Sequence, residues 1–176
     1  MSLPRLSKAL QLIKKNVKAR TMLDVGCNNG ELTEVIARHV GAEEVYGVDV
    51  DEEALKMAMN RGIKVHKVDV STDKLPFSDN TIDLVTSMEV IEHLVNPDNM
   101  LQEIFRVLRR GGYLLLTTPN LASWINRALF LLGYQPYNAE VSTVETFGVF
   151  RKLWRPSGHI RPFTLRALKE IRILRI

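Results

Sequence analysis

Residues 21–30 read Thr-Met-Leu-Asp-Val-Gly-Cys-Asn-Asn-Gly. A short apolar run passes through an acid and opens into a turn with glycines at Gly26 and Gly30. A helical pattern begins at Glu31, so the stretch predicts a strand, a tight loop and the start of a helix. Backbone N–H groups in such a loop approach a ligand closely, with the positive end of the helix dipole behind them. We therefore expect a cradle for a nucleoside cofactor.

Short apolar runs alternate with helical patterns from this stretch to about residue 120. The runs predict five strands, at about residues 21–25, 45–50, 63–68, 81–87 and 113–118. A further helix is predicted over 5–19, ahead of the first strand. Alternation of this kind predicts an α/β fold, a doubly wound Rossmann-like sheet that is mostly parallel with helices on both faces. Ligands of such sheets bind beyond the carboxyl ends of the strands.

Length and composition indicate a single domain spanning residues 1–176, because this length supports one hydrophobic core. No apolar run is long enough to cross a membrane, and the N-terminus has no apolar signal core. One cysteine, Cys27, excludes an internal disulfide and fits a reducing compartment, so we expect a cytoplasmic protein. Cys27 itself is interpreted as a small packed side chain, with a reactive thiol as the alternative.

The second strand ends at Asp49, 19 positions after Gly30. An acid at that place accepts hydrogen bonds from both ribose hydroxyls of a nucleoside. A dinucleotide fingerprint would need a second glycine where this chain has Asn28. Asparagine tolerates a positive φ, so the turn survives, but close packing of a pyrophosphate is disfavoured. The pattern favours a single nucleoside over NAD.

Six segments follow one another over about a hundred residues. They are Leu-Asp-Val-Gly-Cys-Asn-Asn-Gly (23–30), Gly-Val-Asp-Val (47–50), Leu-Pro-Phe-Ser-Asp-Asn-Thr-Ile-Asp-Leu-Val (75–85), Glu-Val-Ile-Glu-His-Leu (89–94), Arg-Val-Leu-Arg-Arg-Gly-Gly-Tyr (106–113) and Thr-Thr-Pro-Asn (117–120). Together they resemble the class I S-adenosylmethionine-dependent methyltransferases of the small-molecule type. Asn28 departs from that family, which usually has glycine there. The resemblance implies S-adenosylmethionine as cofactor and S-adenosylhomocysteine as product.

The resemblance also implies which residues bind the cofactor. They are Asp24, Gly26, Cys27, Asn28, Gly30, Asp49, Val50, Asp69, Val70, Met88 and Glu89. In the family the residues of the first loop line the methionine and ribose, Asp49 takes the ribose hydroxyls, and Val50 flanks the adenine. Asp69 meets the exocyclic amine of the adenine, and Met88 with Glu89 closes over the methionine end.

A second group of residues could act on the methyl acceptor. The sulfonium methyl is already activated, so a base is needed only where the nucleophile must lose a proton. His93 is the first candidate for that base and His159 the second. Ubiquinone-pathway O-methyltransferases and small-RNA 3′-terminal 2′-O-methyltransferases are similar at this bend, where carboxylates and histidine are implicated in metal binding. Glu89, Glu92, His93 and His159 are thus a candidate Mg²⁺ or Mn²⁺ site, but we expect no metal, because many relatives without metal carry a similar segment.

The favoured function is methyl transfer to a small-molecule acceptor, at a hydroxyl group. One alternative is methylation of the terminal ribose of an RNA, and another is a non-catalytic module that only binds S-adenosylmethionine. Basic residues crowd both ends of the chain, which fits either solvated helix faces or a rim for acidic substrates, nucleic acid or anionic lipid. Nucleic acid is not favoured, because no aromatic residues alternate with these charges.

The alternation stops after residue 120. Residues 121–162 are interpreted as an insertion that forms a lid or substrate-binding region, and a last helix is predicted from a cap at Thr164. The family fold ends in an antiparallel strand pair, for which the chain leaves no room before residue 176, so that pair is expected to be missing. An exposed sheet edge would favour a homodimer. Elsewhere, Asp83 is interpreted as a surface acid, and Glu103 with Arg106 as a helix-face pair.

Overall fold

The computed structural model describes residues 7, 9–11, 13, 17–136, 138–142, 144–145 and 158–171. The chain divides into two compact units, of which the first comprises Met1–Val90 with Asn96–Thr117. The second comprises Ile91–Val95 with Thr118–Ile176. The predictions of one domain over 1–176 and of a lid over 121–162 remain predictions.

The first unit contains a five-stranded parallel sheet in the order β3-β2-β1-β4-β5. Its strands are β1 (Thr21–Val25), β2 (Glu44–Asp49), β3 (Lys64–Lys67), β4 (Ile82–Met88) and β5 (Leu108–Thr117). The order reverses beside β1, which is the switch point where a crevice opens at the carboxyl ends of the strands. The predicted doubly wound Rossmann-like fold is confirmed.

Most of the helices begin where the sequence supplies a capping side chain. They are α1 (Glu31–Val40), α2 (Glu52–Met59), a 3₁₀ turn (Ile91–His93), α3 (Pro97–Val107), α4 (Trp124–Leu131) and α5 (Leu165–Glu170). The side chains of Asp51, Asn96, Ser123 and Thr164 accept N–H bonds at the starts of α2, α3, α4 and α5. Much of the helix predicted over 5–19 lies outside the described residues, but residues 7, 9–11 and 13 are helical.

The core lies against the two central strands. Met22–Val25 of β1 and the stretch from Ile82 to Ser87 in β4 are buried throughout, whereas the edge strand β3 is mostly exposed. Ile36 on α1 packs in the same cluster as Met22 and Leu84. Central parallel strands are covered on both faces, which explains why the polar Asp24, Thr86 and Ser87 are buried together with the apolar residues of these strands.

Two further observations bear on the predictions that no segment crosses a membrane and that a strand pair is missing. None of the helices within the described ranges is long and apolar enough to cross a membrane. Residues 172–176, on which the prediction of a missing strand pair depends, lie outside the described residues. The homodimer therefore stays a prediction.

Strand β5 begins at Leu108, whereas the sequence predicted a start at about residue 113, so Gly111 and Gly112 lie inside the strand. Gly111 adopts a left-handed φ of 76°. The pairing with β4 shifts register between Ile82 and Leu84. A glycine and a bulge let the chain leave α3 and enter the sheet without a separate loop, and helical periodicity alone does not reveal such a bulge.

Asp83 is a structural acid, and the prediction of a surface position was wrong. Its side chain accepts the N–H groups of Arg20 and Thr21 at 2.7 and 2.9 Å, and pairs with Arg109 at 2.7 Å. Burial alone would raise the pKa of Asp83, but these donors outweigh it and lower the pKa.

Glu103 and Arg106 do more than pair on a helix face. Glu103 is only 8% exposed and accepts the N–H of Leu75 at 2.8 Å. The guanidinium of Arg106 donates to Glu103, to Asp79 and to the carbonyl oxygens of Leu75 and Phe77. The pair therefore fastens the loop between β3 and β4 onto α3.

Candidate functional site

The loop after β1 is tied to the end of β2. The N–H groups of Gly26 and Cys27 both donate to the carbonyl oxygen of Val48, at 2.8 and 3.1 Å. Gly26 has a φ of 76°, and a Cβ at that position would collide with the side chain of Val90. Gly30 has a φ of 79°, and a Cβ there would lie 2.5 Å from Ile63 Cδ1. Both glycines are required by the path of the loop.

Asn28 connects this loop to the predicted ribose acid. Its φ is 47°, in the left-handed region that asparagine tolerates. Its N–H donates to Asp49 Oδ2 at 2.8 Å, and its own side chain accepts the N–H of Asn29 at 2.7 Å. The departure from a glycine-rich loop therefore preserves the turn and adds a contact to β2.

The carboxylate of Asp49 is held by three backbone donors. Besides Asn28, the N–H groups of Val50 and Asp51 donate to Oδ1 at 2.8 and 3.1 Å. A carboxylate has about four acceptor positions, and these donors occupy three of them, so capacity for a ligand donor remains. Val50 follows at the same edge with 58% of its surface exposed, an apolar side chain open to a ligand. Asp49 and Val50 therefore offer a ligand a polar contact and an apolar contact at adjacent positions.

Asp24 lies beneath the loop. It is 3% exposed and accepts hydrogen bonds from Thr33 Oγ1 at 2.5 Å and Thr86 Oγ1 at 2.6 Å. Burial raises the pKa of Asp24 to about 6, although the hydrogen bonds from the two threonine hydroxyls lower it. The negative charge of Asp49 raises it further. The side chain thereby joins β1, α1 and β4. Its predicted contact with the cofactor remains a prediction.

Cys27 is packed. It is 4% exposed, and a Cβ on Gly47 would lie 2.6 Å from its Sγ. Burial, followed by the charges of Asp24 and Asp49, raises the pKa of the thiol to about 12. A thiol of this kind is not a nucleophile near neutral pH, which supports its interpretation as a small packing residue.

The ends of β3 and β4 carry the remaining predicted residues. The exposed Asp69 accepts the N–H of Ser71 at 2.9 Å, and the carbonyl of Val70 accepts a side-chain N–H of Asn99 at 3.0 Å. Met88 is the last residue of β4. Glu89 adopts a left-handed φ of 59°, with its N–H donating to the carbonyl of Thr117 at 3.0 Å. A glutamate in this conformation stores strain of order 1 kcal/mol, as residues at ligand sites commonly do.

Glu92, His93 and His159 meet in the second unit. Each offers a ligand atom, and these atoms lie within 4.8 Å of one another. The N–H groups of Ile160 and Arg161 donate to the carbonyl of Glu92, at 2.9 and 3.0 Å. The Arg161 guanidinium also donates to the carbonyl oxygens of Leu94 and Val95. These bonds fasten segment 158–161 to segment 92–95 and so place the two imidazoles 4.9 Å apart.

The hydrogen bonds of the two imidazoles indicate what they can do. His93 Nδ1 lies 3.1 Å from the carbonyl oxygen of Gly158. Because a carbonyl only accepts, Nδ1 carries the proton, and Nε2 of the neutral ring is an acceptor. His159 Nδ1 lies 3.7 Å from Glu140 Oε1. The acceptor nitrogen Nε2 of His93 suits a general base or a metal ligand.

The donor set also bears on the candidate metal site. One carboxylate and two imidazoles suit Mn²⁺ or Zn²⁺ better than Mg²⁺, which prefers oxygen ligands. Glu89, the fourth residue of the sequence-based set, belongs to the first unit. Sequence reasoning missed Arg161 and Thr86, because their roles depend on contacts with residues more than sixty positions away. It also missed Thr33, whose bond to Asp24 crosses the loop between β1 and α1.

Comparisons with known proteins agree on one family. A family model described as "Methyltransferase domain" matches residues 23–116. A Mycobacterium tuberculosis protein named "Probable S-adenosylmethionine-dependent methyltransferase" is 34% identical over 110 residues, covering 62% of this chain and 39% of that protein. A Bordetella avium "Ubiquinone biosynthesis O-methyltransferase" is 32% identical over 116 residues, covering 63% of this chain and 47% of the relative. The chain thus spans less than half the length of these curated relatives.

One solved structure extends the similarity of fold to most of the chain. A SAM-dependent methyltransferase from Archaeoglobus fulgidus superposes with a TM-score of 0.64 and 22% identity. The match covers 94% of this chain and 63% of that structure. At this identity the similarity concerns the fold alone.

Proposed function

Since this chain belongs to the methyltransferase domain family, we propose that it binds S-adenosylmethionine and transfers the sulfonium methyl to a small-molecule hydroxyl. The residues at the carboxyl edge of the sheet hold the cofactor. Asp49 takes the ribose hydroxyls, Val50 and Asp69 contact the adenine, and Glu89 closes the methionine end. When bound, the cofactor supplies an activated methyl group, and the protein aligns the acceptor with it.

The preorganised carboxylate of Asp49 carries this proposal. Three backbone N–H groups fix it beside a loop whose glycines allow close approach. The exposed Val50 supports an adenine at the same edge, because a flat heterocycle needs an apolar contact. A pyrophosphate would need more open space in the loop than Asn28 leaves, which supports a single nucleoside over NAD.

A hydroxyl acceptor is supported by the histidines and by the names of the relatives. An alcohol or phenol must lose its proton as the methyl transfers, and His93 is the proposed base with His159 beside it. The Bordetella avium relative is named for O-methylation in ubiquinone biosynthesis. These observations favour a small hydroxylated molecule over the terminal ribose of an RNA.

Calorimetry with S-adenosylhomocysteine tests the cofactor site. We expect Asp49→Asn to weaken binding about 10- to 100-fold, since hydrogen bonds to a charged group contribute about 1.5–3 kcal/mol. Asp51→Asn is the matched control, because asparagine caps a helix as well as aspartate does and Asp51 caps α2. Equal affinity of the two variants, or no binding by the unsubstituted chain, would contradict the proposal.

Turnover with a panel of phenols, catechols, alcohols and a short RNA tests the acceptor. Cofactor binding without turnover on any member would favour the non-catalytic module, and turnover on RNA alone would favour the RNA alternative. For the base, we expect His93→Gln to lower kcat about 100-fold or more. His66→Gln, at an exposed histidine of β3, should have no effect.

The metal alternative has its own test. Treatment with a chelator leaves activity unchanged if His93 acts as a base without metal. Loss of activity that Mn²⁺ or Zn²⁺ restores would instead assign Glu92, His93 and His159 as metal ligands. The short distances among their ligand atoms make metal binding the second candidate role for this cluster.

A further inference from the structure

Helix α4 has an inverted distribution of polar and apolar side chains. Its buried residues are the polar Asn126, 2% exposed, and Leu129, 8% exposed. Trp124 and Leu131, in contrast, are 79% and 88% exposed. A helix on the surface of a water-soluble domain normally turns its apolar stripe inward. The outward face of α4 is therefore suited to an apolar environment.

The buried asparagine is satisfied by its neighbours, so the inversion is not a fault of packing. Asn126 Nδ2 donates to the carbonyl of Leu121 at 2.9 Å and to Asn138 Oδ1 at 2.5 Å. Its backbone N–H bonds the capping hydroxyl of Ser123. These bonds fix the rotation of the helix about its axis and hold its apolar side chains outward.

The exposed side chains form one patch, which we name the α4 patch. Its members are Trp124, Ile125, Phe130, Leu131, Leu132 and Tyr134. A group of exposed apolar side chains on one helix and the turn that follows it is typical of an interaction site. A tryptophan begins the patch and a tyrosine ends it, and both are side chains that prefer the boundary between hydrocarbon and water.

Charge is distributed unevenly between the segment that carries the patch and the rest of the chain. Residues 118–176 contain 9 basic and 3 acidic residues, a net charge of +6, whereas residues 1–117 contain 15 basic and 17 acidic residues, a net charge of −2. The only charged residue within α4 is Arg127, which is exposed and donates to the carbonyl of Ala122 at 2.9 Å. A partner of this segment would therefore be negatively charged as well as apolar.

We propose that the α4 patch docks onto the surface of an anionic lipid bilayer. The helix would lie in the headgroup region with its apolar side chains in the outer hydrocarbon, and the basic residues of its segment would be attracted to the phosphates. RNA would satisfy the charge and stack on Trp124, but it offers no apolar partner for the exposed aliphatic side chains of Leu131 and Leu132. The inference is independent of methyl transfer, because every residue it uses lies outside the proposed cofactor site.

Sedimentation with vesicles tests the proposal. Vesicles of equal parts phosphatidylcholine and phosphatidylglycerol should bind the chain, and vesicles of phosphatidylcholine alone should bind it more weakly. The double variant Trp124→Ser/Leu131→Ser should lower the partition coefficient by about tenfold for each side chain removed. Met57→Ser/Met59→Ser is the matched control, because these side chains of α2 are 50% and 59% exposed outside the patch. It should bind like the unsubstituted chain.

A second measurement follows the patch directly. The chain has two tryptophans, so Trp154→Phe leaves Trp124 as the only indole. We expect its emission to shift to the blue with anionic vesicles and to be quenched by brominated lipid. Failure to bind anionic vesicles, or equal loss of binding in the patch variant and the α2 control, would overturn the proposal. Binding of a single-stranded RNA in place of vesicles would overturn it too.

Discussion

Replacing Asp24 by asparagine isolates the energetic role of the buried acid beneath the loop. Asparagine has the same shape, and its amide can accept from one threonine hydroxyl and donate to the other. The change therefore keeps the links to Thr33 and Thr86 while it removes the charge. Any effect that depends on pH then belongs to ionisation of Asp24.

The magnitude follows from the pKa. Burial raises the pKa of Asp24 from 3.8 to about 6, and each unit corresponds to about 1.4 kcal/mol, so ionisation costs the folded state about 3 kcal/mol. The pKa of Asp24 is higher in the folded chain than in the unfolded chain, so the protonated side chain favours the folded state. The free energy of unfolding therefore contains this stabilisation in full below about pH 4. This stabilisation is lost as pH rises and is gone above about pH 6. Between about pH 4 and 7.5, the unsubstituted chain should lose about 2 kcal/mol that Asp24→Asn keeps.

Urea unfolding followed by circular dichroism at several pH values measures this difference. Titrating groups that do not interact with Asp24 cancel between the two proteins, and Asp98→Asn, at an exposed acid of α3, serves as the control. Parallel stability curves for the chain and Asp24→Asn would refute the reasoning. Calorimetry adds a second readout, because a purely structural role leaves cofactor affinity nearly unchanged. A loss of affinity of tenfold or more without a change in stability would instead assign Asp24 a direct contact.

Three further predictions concern the same unit. Gly26→Ala should cost more stability than Gly41→Ala and should also weaken cofactor binding. Both glycines have a left-handed φ, of 76° and 72°, but only a Cβ at position 26 meets Val90, and thermal unfolding with calorimetry compares them. Equal effects would contradict the geometry. Glu103→Gln should cost about 1–2 kcal/mol in urea unfolding, and Glu53→Gln at the exposed pair with Lys56 should cost under about 0.5. Cys27 should resist iodoacetamide in the folded chain near pH 8 and react in urea, as mass spectrometry would show, since its pKa is raised to about 12. Rapid labelling of the folded chain would contradict its burial.

The sequence predicted the parts of the fold that depend on local pattern. Alternating periodicity located the five strands, and Thr164 marked a helix start because capping is a local interaction. The edge of the sheet that bears Asp49 followed from topology, because parallel strands end on one side. Where the pattern was broken by a bulge, as at the start of β5, the predicted boundary was wrong.

Long-range contacts account for what the sequence could not predict. Asp83 looked like a surface acid because its partners Arg20 and Thr21 are about sixty positions away. Arg161 gave no signal in its own segment, since its importance comes from carbonyl groups that lie more than sixty residues earlier. The left-handed conformation of Glu89 was equally invisible, because glutamate does not favour it.

The three donors that hold the Asp49 carboxylate are main-chain groups. Substitution of residues 28, 50 and 51 by any residue other than proline removes none of them, provided that residue 28 still adopts a positive φ. The carboxylate and the residues around it therefore evolve under different constraints. Neutral drift at position 50 can reshape the contact with a base while the carboxylate keeps its orientation, and this separation gives a laboratory selection for altered cofactors a place to start.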